Sequence, residues 1–426
     1  MAQENPIVVE NREELFFLLS EAAQLEHMIM CQYLFATFSL KRDIGEGVTQ
    51  TQLEAMKRWE RIVLDVAVEE MLHLALVNNL LVALGSIPYF DRPNFPLQGK
   101  YFPAGIKLAL LPFGERALQH FLFLERPEGM TREDAVGFEA QGIPDPPMPL
   151  DDIAPEAQDY ATVGHLYRGI EQGFRHLVEK YGEKQVFVGP PQAQMTQKYF
   201  GWPELVAVTD LASAVQAIET IVEQGEGARG DWKAAHYGKF LTVWNEYHTM
   251  KSQDPNFEPA RPVIAAFTRP PLDTSDVEII TNPFTADIAT LFNISYEAVL
   301  QVLIRMFVYH GETEEELMTL SAIAVDGMFQ LLEPLGQLLT TLPIGTNAPG
   351  KTAGASFEIY RTGYMLPHRY AAWNVLHERF LELATFCAKL VTHPSAPKEL
   401  AEIEQNIRKF AARLEQHAKS VSQDAY

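Results

Sequence analysis

Basic residues are in short supply in this chain. Lysine and arginine number 34 against 56 aspartates and glutamates, giving a formal charge of −22 at pH 7, and no local basic cluster offsets the deficit. Such a surface repels phosphate backbones and anionic lipid, so neither nucleic acid nor a membrane is expected as a partner. Cysteine is scarcer still. Cys31 and Cys387 are the only two, too few for a disulfide framework, and Cys31 reads as a buried thiol rather than a ligand. No stretch approaches the roughly 20 apolar residues of a membrane span. Met1 to Glu14 carries charges where a signal peptide would need an apolar core. The cytoplasm is the expected location.

What the chain does have is apolar residues, 47% of 426. That is ample for two packed units, the usual outcome at this length. Apolar periodicity predicts helices over about 11–41, 50–85, 156–181, 205–226 and 232–250. A long excursion at about 86–155 interrupts them, with Pro-rich pieces from Pro88 to Pro103 and Pro144 to Pro155 and a short strand expected from Ile106 to Leu111. Plain bundle loops are short, so a connection of this length is expected to cover a site or bind a partner. The prolines between Ser252 and Pro283 mark a boundary. Beyond it, helical periodicity resumes at about 285–310, 313–341, 365–393 and 397–420. The predicted organisation is all-α: a four-helix bundle over 1–255 with a long insertion, then a C-terminal helical unit over 256–426.

Carboxylates intrude into apolar stripes. The second helix runs Met56, Trp59, Val63, Val66, Ala67, then Glu70 and His73, then Leu74, Val77 and Leu81. Residues three apart share a helix face, so Glu70 and His73 point together into a core. A lone buried carboxylate costs several kcal/mol unless a cation or hydrogen-bonded partner compensates. Glu26 interrupts the first stripe between Ala22 and Ile29, while Glu21 projects away from it. Glu171 interrupts the third, between Tyr167 and Phe174. On the fourth, Glu226 lies nearest the stripe from Leu211 to Val222, with Glu223 and Glu219 as competing acids, and His236 resumes the helix after the glycine-rich break at Gly225, Gly227 and Gly230. Any one such glutamate could be an ordinary polar core residue; their recurrence at stripe centres argues otherwise. Glu26, Glu70, His73, Glu171, Glu226 and His236 make the inventory of a two-metal carboxylate bundle. Hard oxygen donors with one imidazole per metal suit two iron ions, or manganese, and oxygen chemistry.

The segments Leu25-Glu26-His27 through Gln32-Tyr33-Leu34-Phe35-Ala36, Val68-Glu69-Glu70-Met71-Leu72-His73, Glu223-Gln224-Gly225-Glu226-Gly227 and Ala353-Gly354-Ala355-Ser356-Phe357-Glu358 resemble the ferritin-like, iminophenyl-pyruvate dimer synthase family. That family takes its name from enzymes of violacein and rebeccamycin assembly, which oxidatively couple two imines of aromatic 2-oxo acids and are much longer than this chain. The resemblance is specific for the metal-site segments and looser beyond residue 255. It implies a ferritin-like fold and oxidative imine coupling.

The expected function is that of a dimetal, oxygen-dependent oxidoreductase with O2 as co-substrate, acting on a small aromatic or amino-acid-derived molecule. A hydroxylase, N-oxygenase or desaturase on the same site is the alternative enzyme, and a non-catalytic metal-binding scaffold the alternative class. Expected partners are the small-molecule substrate and either a homo-oligomer or a pathway partner protein. Tyr33, one face with Glu26, is a candidate donor to the centre, though a plain core tyrosine is the commoner case. Gly345 to Thr352 fits the phosphate-loop expression G-x-x-x-x-G-K-[ST], but no strand precedes it and no helix start follows, so nucleotide binding is not expected. His310, His368, His377 and His393 show no pairing pattern.

Overall fold

A computed structural model of the chain describes residues 6–97, 102, 108–130, 132–135, 158, 160, 162–227, 232–270, 277–308, 311–361, 365 and 367–424. Contacts divide it into two compact units, Met1–Gln197 with Trp202–Ala260, and Lys198–Gly201 with Arg261–Tyr426.

The first unit is built on helices whose starts are encoded locally. Helix α1 (Arg12–Phe38) begins where the Asn11 side chain accepts from the Glu14 N–H at 3.1 Å. Helix α2 (Gln50–Ala83) begins at a capping box of Thr49 and Gln52. Then come α3 (Glu115–Leu124), α4 (Val163–Tyr181) capped by Thr162, α5 (Leu211–Gly225) with an Asp210–Ser213 box, and α6 (His236–Gln253). Side-chain caps of this kind contribute about 1 kcal/mol each by satisfying amide groups that the helix leaves open.

Helices α1 and α2 pack along each other, α4 lies on α1, and α5 on both α4 and α2; α6 lies against α2, with α3 packed on α6. Every residue of α1 from Glu21 to Tyr33 is buried, so α1 has no solvent face over this stretch, and Glu21 is buried although it projects away from the stripe. Trp59 of α2 stacks on Phe113 at 5.7 Å and donates its indole N–H to Glu246 of α6 at 2.7 Å. On α4, Gly169 and Gly173 form a groove for Ile7 and Val9: a Cβ at Gly169 would stand 2.6 Å from Ile7, and one at Gly173 2.9 Å from Val9.

The excursion after α2 holds a helix that the sequence reading does not mark, α3. The strand expected from Ile106 to Leu111 is not present over its described part, 108–111, and its first two residues lie outside the described ones.

In the second unit, a two-residue parallel pairing of β1 (Ala266–Phe267) with β2 (Glu278–Ile279) precedes α7 (Pro283–Phe307) and α8 (Glu314–Gly327). A π turn, Met328–Leu332, leads into α9 (Glu333–Leu339). The single helix expected over 313–341 is thus interrupted next to Pro334, which has no N–H to continue an α ladder. Helices α10 (Arg369–Val391) and α11 (Glu399–Asp424) pack side by side.

By length and composition α2 and α7 could each cross a membrane, which the sequence reading does not anticipate. Their most apolar windows are 83% and 72% buried inside the fold, as expected of core helices. The phosphate-loop match follows α9 rather than a strand. Pro343 and Thr352 pair across it, and residues 353–361 after it form no helix, so there is no helix start to face a phosphate.

Candidate metal centre

Glu26 of α1, Glu70 and His73 of α2, Glu125 at the end of α3 and His236 at the start of α6 converge inside the first unit. One ligand atom from each of Glu26, Glu70 and His73 lies within 4.8 Å of the others, and the same holds for Glu70, Glu125 and His236. Glu70 belongs to both groups. Its Oε2 stands 2.8 Å from Nδ1 of His73 and its Oε1 3.0 Å from Nδ1 of His236, so each oxygen serves one imidazole. The two rings stack with centroids 5.5 Å apart.

The outer carboxylates repeat one pattern. Glu26 turns Oε2 to Nδ1 of His73, 3.6 Å away, and accepts the Tyr167 hydroxyl on Oε1 at 2.5 Å. Glu125 turns Oε2 to Nδ1 of His236, 3.4 Å away, and accepts the Tyr33 hydroxyl on Oε1. Tyr33 is itself packed against Phe121 and Phe240. Both imidazoles show Nδ1 to the carboxylates and anchor Nε2 outside them, His73 on Gln224 Oε1 at 2.9 Å and His236 on Glu69 Oε2 at 2.9 Å. Lys239 also donates to Glu69.

Protons balance this cluster in the metal-free protein. Burial alone would lower His73, but the charge of Glu70 and the hydrogen bonds of Glu26 and Glu70 outweigh it and lift the imidazole to about 10. Burial likewise opposes the rise of His236, which Glu70 and Glu125 nevertheless hold well above its ordinary 6.5. Glu70 is the reverse case: burial would raise it, and the two imidazoles keep it well below the usual carboxylate range. Glu26 is pushed up to about 8, first by burial and then by the charge of Glu70. A buried set of three carboxylates and two imidazoles is chemically suited to cations. His236 Nδ1 adds to the fit, since it makes no aligned hydrogen bond despite its two carboxylate neighbours.

A cavity of about 20 Å³ lies at the centre, bounded also by Ile29, Leu124, Val163, Ile221 and Val222. That volume accommodates water-sized species, and nothing as large as an aromatic acid.

Of the six residues named from sequence, four meet here: Glu26, Glu70, His73 and His236. Glu171 does not. The buried face of α4 runs through Leu166, Tyr167, Ile170, Phe174 and Leu177, and Glu171 lies about 100° round the helix from its middle. There it pairs with Arg175 at 2.7 Å. The residue that α4 sends inward is Tyr167. Glu226 borders the cavity, but its carboxylate is taken up by the backbone N–H of Gly164 at 2.9 Å and of Glu128 at 3.2 Å, with Arg168 at 3.5 Å. It caps the start of α4, where a negative charge is favoured. Glu125 was missed. The spacing Leu118, Phe121, Leu122, Glu125 carries the same acid-in-stripe signal as Glu26, on a helix too short to stand out within the excursion.

The ferritin-like family model matches residues 19–245, a span that includes all five converging residues. The chain belongs to the ferritin-like family. It is 28% identical over 411 residues to dichlorochromopyrrolate synthase of Lentzea aerocolonigenes, covering 88% of this chain and 39% of that protein. It is 29% identical over 371 residues to 2-imino-3-(indol-3-yl)propanoate dimerase of Chromobacterium violaceum, covering 82% and 34% respectively. The chain therefore spans little more than a third of the length of these curated relatives. A ferritin-like protein from Caulobacter vibrioides superposes with a TM-score of 0.49 at 20% identity, over 77% of this chain and 95% of that one, a likeness too distant to add weight.

Proposed function

We propose that the ferritin-like unit is an oxygen-dependent oxidoreductase with a two-iron centre, coupling two imines of aromatic 2-oxo acids. The observation that carries the metal reading is Glu70, which offers one oxygen toward each of two imidazoles. One ion would be held by Glu26, Glu70 and His73, the other by Glu70, Glu125 and His236. Iron bound there supplies the capacity to bind and reduce dioxygen. Manganese suits the same donors. The names of the two relatives, a synthase and an imine dimerase, support the choice of substrate class.

The chain's own residues have definable tasks. Ile29, Leu124, Val163, Ile221 and Val222 keep bulk water from the centre, which strengthens every charge interaction within it. Tyr33 and Tyr167 hold protons on the outer oxygens of Glu125 and Glu26 and so fix both carboxylates in orientation. Coupling two imines forms one carbon–carbon bond and removes two electrons and two protons, which reduce one dioxygen to hydrogen peroxide. Because the cavity is water-sized, the imines react at its edge or after it opens.

The test is to reconstitute the protein with ferrous iron without oxygen, count iron per chain, then supply oxygen with an aromatic 2-imino acid generated in place. About two irons per chain, oxygen uptake that depends on the imine, and a coupled product are expected. A chain that takes up no iron or manganese ends the metal reading. Iron binding without imine-dependent oxygen uptake ends the choice of substrate.

A further inference from the structure

We infer that the two halves of the centre bind cations unequally and that Glu69 and Gln224 cause the difference. The inference rests on the two-metal reading above. In their inner contacts the halves match: each imidazole faces Glu70 with Nδ1, each faces one further carboxylate, and each of those carboxylates accepts from a tyrosine. The outer contacts differ. Nε2 of His73 meets the neutral amide of Gln224, whereas Nε2 of His236 meets the carboxylate of Glu69 at the same 2.9 Å.

An imidazole that binds a cation through Nδ1 carries its proton on Nε2, so both outer nitrogens are donors and Gln224 has to present its carbonyl oxygen. A carboxylate draws that proton more strongly than an amide does, leaving more electron density on Nδ1 and making the ring the better ligand. Lys239 tempers the charge of Glu69 but also holds it in place. Both side chains stand at the wall of an open depression shared with Asp65, so the carboxylate is steadied from the solvent side. Glu69 and Gln224 are positioning residues: they act on the centre through the histidines. The half with Glu125 and His236 fills first, and the half with Glu26 and His73 fills second.

Cobalt(II) is the probe, titrated into metal-free protein and followed by calorimetry and by its visible ligand-field absorption. The wild type should bind two ions in separate steps. Glu69→Gln should weaken the tighter step by about 10–100-fold, the usual effect of removing such an outer partner, and bring the two steps together. Gln224→Glu should tighten the weaker step and leave the tighter one in place. Wild-type steps of equal affinity, or a Glu69→Gln protein that titrates like wild type or loses both steps equally, would overturn the inference while leaving the two-metal reading intact. Wild-type protein that binds no cobalt overturns the two-metal reading itself. If Glu69→Gln does not fold, Gln224→Glu decides, and an unshifted weaker step there refutes the inference.

Discussion

Glu125→Gln separates the centre seen in the structure from the one expected of a symmetric bundle. Glu125 is buried and holds the Tyr33 hydroxyl on one oxygen while facing His236 with the other. Glutamine keeps an acceptor for Tyr33 and removes the charge, so the fold survives; alanine would also strand a buried hydroxyl at a further cost of about 1–3 kcal/mol. Changes to outer partners of a ligand already weaken metal binding by about 10–100-fold, so loss of an anionic ligand should exceed the upper figure. Iron per chain, measured after anaerobic reconstitution and gel filtration, should fall from about two to about one. Glu171→Gln is the control. It breaks only an exposed pair with Arg175, worth roughly 0.3–0.5 kcal/mol, and should retain both irons. Glu226→Gln should also retain both but unfold more readily, because it weakens a charged cap on α4. A Glu125→Gln protein with full iron, above all beside a Glu171→Gln protein that has lost one, would refute this assignment.

Three other outcomes follow from the same structure. His73, at about 10, and His236, held well above 6.5, are protonated at neutral pH in the metal-free protein and must lose those protons to become ligands. Glu26, at about 8, is protonated there as well, so metal binding at pH 7 should release about three protons and weaken as pH falls, checked by calorimetry in buffers of different ionisation enthalpy; no proton release would contradict it. Glu21 is buried with Oε2 unbonded, and burial pushes it up to about 7. Its folded-state pKa exceeds the unfolded 4.5, so the stability cost of its charge develops as pH rises from there and is complete above 7. Glu21→Gln should thus stabilise by roughly 1–3 kcal/mol at pH 8 and by less at pH 5, with urea unfolding as the assay and a pH-independent gain as the contrary result. Lys351→Ala should alter stability by no more than about 0.5 kcal/mol, and millimolar ATP should leave the melting temperature of both proteins unchanged.

The legible part of the centre lies where helix periodicity is unambiguous. Glu70 and His73 sit midway along α2, whose stripe is long enough that no other rotation buries it, and Glu26 lies in a part of α1 buried on every side. Glu171 and Glu226 lie outside the cluster for separate physical reasons. On α4 the glycines at 169 and 173 leave no apolar side chain to weigh in a stripe, yet they mark a buried groove because Ile7 and Val9 fill it. A projection that ignores them rotates the helix until Glu171 points inward. Glu226 sits at the last turn of α5, next to the glycine break, where a helical angle no longer fixes direction. Its partners, Gly164 and Glu128, are remote in sequence, and no local pattern could have named them.

Charge accounts for why the bundle can do without a carboxylate from α4. Glu26, Glu70 and Glu125 already bring three carboxylates to a buried centre, and Glu69, steadied by Lys239, supports His236 from outside it. A fourth internal glutamate would need further compensation in the metal-free state, where Glu26 is already pushed up to about 8 by burial and by its neighbour. A tyrosine at that place on α4 satisfies the outer oxygen of Glu26 without adding charge, and Tyr33 does the same for Glu125. Through Glu125, the described part of the excursion between α2 and α4 joins the cluster. It carries Glu125 at the end of α3, and α3 is placed by packing on α6, the helix that presents His236. Excursion and α6 together hold the half of the centre that α1 and α2 alone cannot complete.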